Sequence, residues 1–181
     1  GSGRGYVNGW GRCVMATVIR GSDNFDTAYA KSVAIIADVK AYNVHGGTFT
    51  QDAWRTRDLN TELDDPSNIV TIASNQFTLQ AGTYLVEWST PAYKVDRHSS
   101  RLQNITDSTT EELGTTEFTN DADGAITRSI GASVLTLTGA KAFEIQHYAQ
   151  RTFASYGFGL NSSISNINSV FTLVKIHKIG A

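Results

Sequence analysis

Five carboxylates could in principle supply the acid and base of a glycoside hydrolase: Glu87, Asp96, Glu111, Glu112 and Glu144. Hydrolysis of a glycosidic bond needs one carboxyl group as acid and a second as base or nucleophile, on either side of the bond. No spacing in the sequence selects two of these five, and surface carboxylates are usually solvated. The sequence also has no Gly-x-Ser-x-Gly motif and no phosphate-binding loop. We therefore predict a protein that is not an enzyme.

The histidines do not indicate a metal site. They are His45, His98, His147 and His177. Each stands alone, because none has a histidine or cysteine partner at the spacing of metal ligands. His147 shares an alternating strand face with Phe143 and Ile145, which predicts a histidine in the core.

Two acidic clusters raise the question of calcium. Asp121-Ala122-Asp123-Gly124 begins like an EF-hand loop, in which alternating side-chain oxygens coordinate calcium. The later acidic ligand of such a loop is missing, so an ordinary turn explains these residues too. Asp64-Asp65-Pro66 is interpreted first as a turn. Asp121 and Asp123 remain candidates for calcium, and no other cofactor is predicted.

Aromatic and arginine side chains are the candidates for binding a partner. They combine a flat apolar face with a polar edge, so they stack on sugar rings or pack against a protein at low entropic cost. The candidates for receptor contact are Tyr42, Trp54, Arg55, Arg57, Tyr93, Arg97, Arg101 and Tyr156, and Tyr148 and Arg151 share their chemistry.

These candidates also have a structural explanation. Small sandwiches bury their large aromatics, so Trp54 and Trp88 fit the core or a subunit interface better than a ligand platform. The arginines beside Trp54 equally fit an ion-pair network between subunits, with Asp58 or Glu62 as partners.

Overall charge excludes some classes of partner. The chain has 15 Lys and Arg against 17 Asp and Glu, a formal net charge of −2, so no global field attracts nucleic acid or an anionic membrane. No apolar run is long enough for a transmembrane helix, and no secretory signal is recognisable. We expect neither nucleic-acid binding nor membrane insertion. The single cysteine, Cys13, cannot close an intrachain disulfide, so we expect stability to rest on packing, either alone or together with association between chains.

The length of 181 residues and the hydrophobic content of 40% fit one domain with a sizeable core. Residues 1–5 are interpreted as a cloning linker and residues 6–35 as an N-terminal segment that the pattern does not assign. Residues 36–181 are predicted to form the globular domain.

Short β-branched and aromatic runs, separated by Gly, Asn, Asp and Ser, predict an all-β fold. The clearest strands are Val70–Ala73, Phe77–Gln80, Thr83–Trp88, Arg97–Asn104, Arg128–Ala132, Ser133–Leu137, Ala142–Gln150 and Asn168–Ile179. Val33–Tyr42 also has a strand pattern, although the alanines in Tyr29–Asp38 fit a helix as well. The polar stretch from Asp107 to Gly124 predicts an exposed loop or hairpin tip.

The last strand carries apolar residues on both alternating faces, from Val170 to Ile179. This pattern predicts cover on both sides. One side is the sandwich core. The other is either a neighbouring subunit or the chain's own loops.

Several of these segments resemble a known family. Phe77–Trp88 and Phe171–Ile176 resemble the apolar-x-x-x-x-Gly-x-Tyr strand pair and the aromatic last strand of globular heads similar to C1q and tumour necrosis factor. More specific segments look like the C1q-like tip domains at the ends of bacteriophage tail fibres and of related prophage proteins. They are Gly46–Phe49, Trp54–Asn60, Pro91–Tyr93, Arg97–His98 and Arg101–Asn104. The resemblance covers roughly Ile36 to Gly180.

The resemblance implies a jelly-roll sandwich of roughly ten strands that assembles as a homotrimer. It implies a place in the virion, at the distal and extracellular end of a tail fibre, joined to an upstream fibre segment. The implied function is binding of a glycan or protein on the bacterial surface during adsorption. The alternatives are a structural trimerisation or capping module without receptor contact and, as a minor one, a polysaccharide-degrading enzyme.

Overall fold

The computed structural model describes residues 32–120, 122 and 124–180. Residues 6–31 with Cys13, and the calcium candidates Asp121 and Asp123, lie outside the described residues. The regular structure is eleven β-strands. They are β1 (Val33–Lys40), β2 (Arg55–Thr56), β3 (Thr61–Asp64), β4 (Val70–Ala73), β5 (Gln76–Leu79), β6 (Gly82–Tyr93), β7 (Asp96–Asn104), β8 (Thr109–Thr119), β9 (Ile126–Leu137), β10 (Lys141–Ala149) and β11 (Ser169–Gly180). In this part of the chain no helix is long and apolar enough to cross a membrane.

The strands form two antiparallel sheets that pack face to face. The front sheet has the order β3-β1-β11-β6-β9, and the back sheet has the order β4-β5-β10-β7-β8 with β2 paired to β10. Strands distant in sequence are neighbours, as in a jelly roll, because the chain crosses repeatedly from one sheet to the other. The predicted all-β sandwich is confirmed, with eleven strands where roughly ten were expected.

The two poles of the sandwich differ in what they carry. Ser32 and Lys178 meet at one pole, where the Lys178 N–H donates to the Ser32 carbonyl at 2.8 Å, so both ends of the described chain lie there. We call this the base. The opposite pole, the tip, carries the loops 41–54, 94–95, 120–125 and 150–168 that join the strands there.

The core changes character from base to tip. Along β10 the inward residues run from Ile145 through His147 to Ala149, and along β6 from Trp88 through Thr90 to Ala92. A large apolar cluster fills the base half, and a smaller one around Phe49 fills the tip half. Between them lies a layer of buried polar side chains. This polar layer comprises Asp38, Arg57, Thr90, His98, Ser100, Ser129, His147 and Thr172, each at most 2% exposed.

One segment differs from its predicted structure, and a second settles a choice between strand and helix that the sequence left open. Thr109–Thr119 is an edge strand, β8, where a loop or hairpin tip was predicted. An edge strand has one neighbour in its sheet and exposes most of its residues, so a polar sequence suits it. Val33–Lys40 is the strand β1 between β3 and β11, which excludes the helical alternative for those residues.

The last strand, β11, lies at the centre of the front sheet between β1 and β6. Its inward residues Val174 and Ile176 are fully buried in the core. On the outward face Phe171 is covered by the chain's own Pro91 and Gly159, whereas Leu173 is half-buried. The chain's own loops therefore cover only one end of the outward face.

Candidate functional site

Four aromatic side chains converge at the tip. The ring of Tyr93 lies 5.6 Å from Phe153 and 6.4 Å from Tyr156, and Phe153 lies 5.7 Å from Tyr156, measured between centroids. His45 packs on Tyr156 at 4.4 Å. We call these four residues the tip cluster. All four residues are half-buried.

The backbone of two loops holds the tip cluster in place. Phe49 and Phe153 form an isolated antiparallel bridge, with N–O distances of 3.1 and 3.0 Å. The Tyr93 N–H donates to the Gly157 carbonyl at 3.0 Å. A Cβ atom at Gly157 would lie 2.6 Å from both the Phe153 carbonyl oxygen and the Phe49 Cβ, so only glycine permits this approach. The loops are thus tied to each other and to β6.

Polar groups border the tip cluster. The ammonium group of Lys94 lies 5.5 Å from the Tyr93 ring centroid, a cation–π contact. Lys94 adopts a φ of 56° in the tight turn between β6 and β7, and Thr119 accepts its backbone N–H at 2.9 Å. Arg97 follows on β7 and donates to the Gln150 side chain at 3.3 Å. Tyr42 is 43% exposed in the loop after β1. The tip therefore offers aromatic faces with hydrogen-bond donors beside them.

Trp54 and Arg101 lie together on the outer face of the back sheet, away from the tip cluster. The guanidinium carbon of Arg101 is 4.2 Å from the Trp54 ring centroid, and Tyr148 contacts the same indole edge-on at 5.7 Å. Gln146 accepts hydrogen bonds from Arg101 at 2.9 and 2.6 Å. We call Trp54, Arg101 and Tyr148 the side cluster. Its polar atoms are largely satisfied within the chain.

Arg57 was predicted as a candidate for receptor contact, but it is 0% exposed in the folded chain. It crosses the core from the back sheet and donates to Thr172 and Pro91 of the front sheet and to the carbonyl of Phe158 in the tip loop 150–168. Arg55, one alternation away in β2, is half-buried and donates to the Thr50 carbonyl at 3.2 Å. Arg55 and Thr56 pair with His147 and Gln146 of β10, and the Arg57 N–H donates to the Ile145 carbonyl at 2.8 Å. Arg57 therefore lies opposite the inward-facing Ile145, although β2 ends at Thr56.

The candidate acids of a glycosidase do not converge. Glu87 lies on the outward face of the front sheet, 3.9 Å from His177. Glu144 lies on the outer face of the back sheet, where Thr56, Gln76 and Gln146 donate to its carboxylate. Glu111 accepts from Asn104 and Thr109 near the base. No two of these face each other across a cleft.

His98 and His147 form a pair that sequence spacing did not reveal. They are 49 positions apart in the sequence, yet they are inward-facing positions on the adjacent strands β7 and β10. His147 is fully buried, as predicted. Within the described residues no three His, Cys, Asp or Glu side chains are arranged to hold a metal ion. The sequence does carry one indication of this pair, because both histidines occupy inward-facing positions of their strands.

Apolar side chains line the outward face of the front sheet. Ile126, Ile130 and Val134 recur along β9 and are 45%, 54% and 64% exposed. Near the tip, Ile126 joins Ile164, Ile167 and Val170 in a cleft of about 350 Å³. We call the face formed by these residues the apolar face. It holds six of the twelve exposed large apolar residues in the described part of the chain.

Comparison with known proteins identifies the fold. No protein-family model and no curated protein sequence matches the chain. Among solved structures, the globular domain of zebrafish complement 1qA protein is 14% identical, with 82% of this chain and 98% of that chain covered at a TM-score of 0.52. Murine APRIL at pH 5.0 is 10% identical, with the same coverages and a TM-score of 0.53. Eiger TNF from S. frugiperda is 13% identical, with coverages of 82% and 92% and a TM-score of 0.53. The chain therefore has the jelly-roll fold of the C1q and TNF domains.

Proposed function

We propose that this chain is the trimeric receptor-binding domain at the distal end of a bacteriophage tail fibre, and that its tip binds a glycan or protein on the bacterial surface. The observation that carries the proposal is the tip cluster, because it stands at the pole opposite both ends of the described chain. A fibre joined at the base would present this cluster outward. Half-exposed aromatic rings beside cationic and amide groups suit stacking on a sugar or packing against a protein.

The apolar face supports assembly into a trimer. Contiguous exposed apolar surface on a water-soluble domain usually marks an interaction site. Ile130 and Val134 project from the edge strand of the front sheet beside the half-buried Leu85 and Leu173. Three copies around an axis bury such a face and shield the sheet edge, which a single copy leaves open. Trimerisation would thereby bury the part of the loop 150–168 that carries Ile164 and Ile167 and leave the tip cluster accessible.

The viral context rests on the sequence. The segments Gly46–Phe49 and Trp54–Asn60, which resemble fibre-tip domains, fold into the first tip loop and the residues around β2. An extracellular position on the virion, with an upstream fibre segment attached at the base, accords with the arrangement of the two poles. The scattered carboxylates give no support to a polysaccharide-degrading enzyme, and the proposed function needs no cofactor.

Binding to host cells tests the proposed site. The wild-type domain is compared with Tyr93→Ser and Tyr156→Ser, and with Tyr148→Ser of the side cluster as a matched control. Removing an aromatic anchor of an interface costs about tenfold or more in affinity, so the two tip variants should bind at least tenfold more weakly while Tyr148→Ser binds normally. Loss of binding only in Tyr148→Ser would move the site to the side cluster. An intact trimer that binds no cell or glycan would favour the trimerisation or capping module.

Light scattering with a variant of the apolar face tests the trimer. Val134→Glu places a charge in the proposed interface, and burying an unpaired carboxylate costs several kcal/mol, roughly enough to dissociate a small trimer. Thr71→Glu, exposed on the back sheet, makes a similar charge change and should remain trimeric. A wild-type monomer at micromolar concentration would contradict the assembly.

A further inference from the structure

The polar layer separates the apolar core of the base from the small apolar cluster of the tip. It is built mainly on His98, His147 and Arg57, which are 2%, 0% and 0% exposed. Stretches of structure that share few apolar contacts with the rest of a domain open more easily than its main core. Besides backbone hydrogen bonds such as that from Tyr93 to Gly157, the tip loops are therefore attached to the sandwich through groups whose interactions depend on charge.

His98 and His147 are bonded to each other rather than to a carboxylate. Nδ1 of His98 lies 2.9 Å from Nε2 of His147, and Nε2 of His98 lies 2.8 Å from the Thr127 hydroxyl on the front sheet. The contact between the rings needs one proton, supplied by either ring. Nδ1 of His147 is buried without a hydrogen-bond partner. This arrangement suits two neutral imidazoles, since two imidazolium rings would turn a donor against a donor.

Arg57 adds a fixed positive charge to the same layer. Its Nε donates to the Thr172 hydroxyl at 2.9 Å, and its two Nη atoms donate to the carbonyls of Pro91 and Phe158 at 3.3 and 2.8 Å. Burial lowers the pKa of Arg57 to about 9, which leaves the guanidinium charged at neutral pH.

Other charges face the layer from the elements packed against it. Asp38 of β1 and Asp58 attract Arg57, and Arg128 of β9 repels it. Lys40 forms salt bridges with both Asp38 and Asp58. Glu117 of β8 is the residue directly opposite His98 in the neighbouring strand of the back sheet. Glu117 accepts from the Thr115 hydroxyl at 2.9 Å and makes no hydrogen bond to His98. The histidines thus sit beside a buried cation without a bonded acid of their own.

The tip loops rest directly on these charged and titratable groups. Phe49 packs on the His147 ring at 4.9 Å, and Phe158 stacks under the Arg57 guanidinium at 4.1 Å. Phe49 and Phe158 contact each other at 4.5 Å, and Phe49 forms the bridge that positions Phe153 of the tip cluster. A charge placed on the His147 ring would therefore act on the side chain that anchors both loops.

Both histidines resist protonation in the folded chain. Burial, and then the charge of Arg57, lower the pKa of His98 to about 4. The same two causes and the neighbouring His98 lower the pKa of His147 well below its usual value of 6.5. Imidazoles exposed by opening would return to a pKa near 6.5, so acid favours the opened form.

We propose that the His98–His147 pair is an acid-sensitive latch, which holds the loops 46–50 and 153–159 on the sandwich at neutral pH and releases them when the surroundings become mildly acidic. The base half of the core stays folded. The claim that the latch regulates receptor binding rests on the proposed function, because the latch acts on the tip cluster. The claim that the loops open in acid rests on the geometry of the polar layer alone.

Amide hydrogen exchange of the full chain at about pH 7.5 and about pH 5 tests the latch. Protection factors are compared between the Phe49 and Phe153 amides, which form the bridge, and the Phe77 and Phe143 amides in the base half. We expect tip protection to fall about tenfold or more while base protection changes less than about twofold. Unchanged tip protection, or an equal fall at both places, would overturn the proposal.

Substitutions identify the titrating group. In His98→Gln/His147→Gln, two amides replace two imidazoles, and the tip should lose its pH response. His45→Gln, in the tip cluster, and His177→Gln, on the front sheet, should retain it. A response that survives in the double variant, or that disappears with His45→Gln, would contradict the latch. Should the double variant not fold, NMR titration of the wild-type imidazoles decides, because the opening must follow protonation of His98 and His147 rather than of His45.

The latch and the receptor proposal can fail separately. Loops that open in acid on a domain that binds no host cell at any pH would support the latch and contradict the proposed function. Binding that persists at about pH 5, with loops that stay protected, would contradict the latch alone.

Discussion

The indole of Trp88 fills the space that a side chain at Gly131 would occupy. The two residues are paired across β6 and β9, and a Cβ atom built on Gly131 would lie 2.0 Å from Cζ2 of the ring. Nε1 of Trp88 donates to the Ser100 hydroxyl of the back sheet at 2.8 Å. The largest buried side chain of the core thus spans both sheets, and it depends on a glycine in the neighbouring strand.

Gly131→Ala is expected to destabilise the domain strongly. The methyl group would overlap ring atoms that are fixed by a hydrogen bond, and overpacking of a rigid core costs about 3 kcal/mol. Urea denaturation followed by Trp fluorescence measures the change in unfolding free energy. Gly139→Ala is the matched control, because no atom lies within 4 Å of its Cβ position. Equal stability of the two variants would refute the packing argument.

Arg57→Met should cost about 3 kcal/mol, although methionine is apolar and similar in length. The substitution leaves the carbonyls of Pro91 and Phe158 buried without their hydrogen-bond donor, and it removes one of the two positive charges that face Asp38, the other being Lys40. Unsatisfied buried acceptors and charges are among the costliest defects of a core. Thermal and urea unfolding provide the measurement.

Arg55→Met is the control for Arg57→Met. Arg55 is half-buried and makes one hydrogen bond to a loop carbonyl, so its loss should cost less than about 1 kcal/mol. If Arg57→Met proved as mild as Arg55→Met, the guanidinium would not stabilise the polar layer.

Asp65→Ala should weaken the start of β4. The two carboxylate oxygens accept the backbone N–H groups of Ile69 and Val70 at 2.9 and 3.0 Å, which confirms the turn predicted at this position. Losing two such hydrogen bonds costs about 1–2 kcal/mol. The neighbouring Asp64→Ala, at an exposed position of β3, should be nearly neutral. Chemical denaturation and exchange of the Ile69 amide distinguish the two variants.

The unfolding free energy should fall as pH decreases from 6.5 to 4. His98 has a pKa near 4 in the folded chain, so its contribution is fully present above pH 6.5 and is lost as the unfolded chain takes up the proton. The loss is about 2 kcal/mol at pH 5 from this histidine alone. Asp38 acts in the opposite direction, because burial raises its pKa.

Denaturation of the wild-type domain and of His98→Gln across this pH range measures the effect. The variant should show a shallower decline than the wild type between pH 6.5 and 4. Parallel declines would assign the acid sensitivity to other groups.

The sequence alone determined the fold class and most of the strands. Alternation of apolar and polar residues along Phe77–Gln80 or Ala142–Gln150 reports which face of a strand is buried, and this property is local. The same logic correctly placed His147 in the core. It failed at β8, because an edge strand exposes most of its side chains and its polar pattern is the pattern of a loop.

Only the tertiary structure decided which residues share a site. The alternation of residue types along a strand indicates which face of the sheet a side chain lies on, but it does not indicate which strand lies beside it. In a jelly roll, neighbouring strands are distant in sequence. His98 meets His147, and Tyr93 meets Phe153 and Tyr156, through such crossings. Arg57 lies in the core because the chain continues beside β10 after β2, opposite the inward-facing Ile145, and the carbonyls of Pro91 and Phe158 accept hydrogen bonds from its guanidinium.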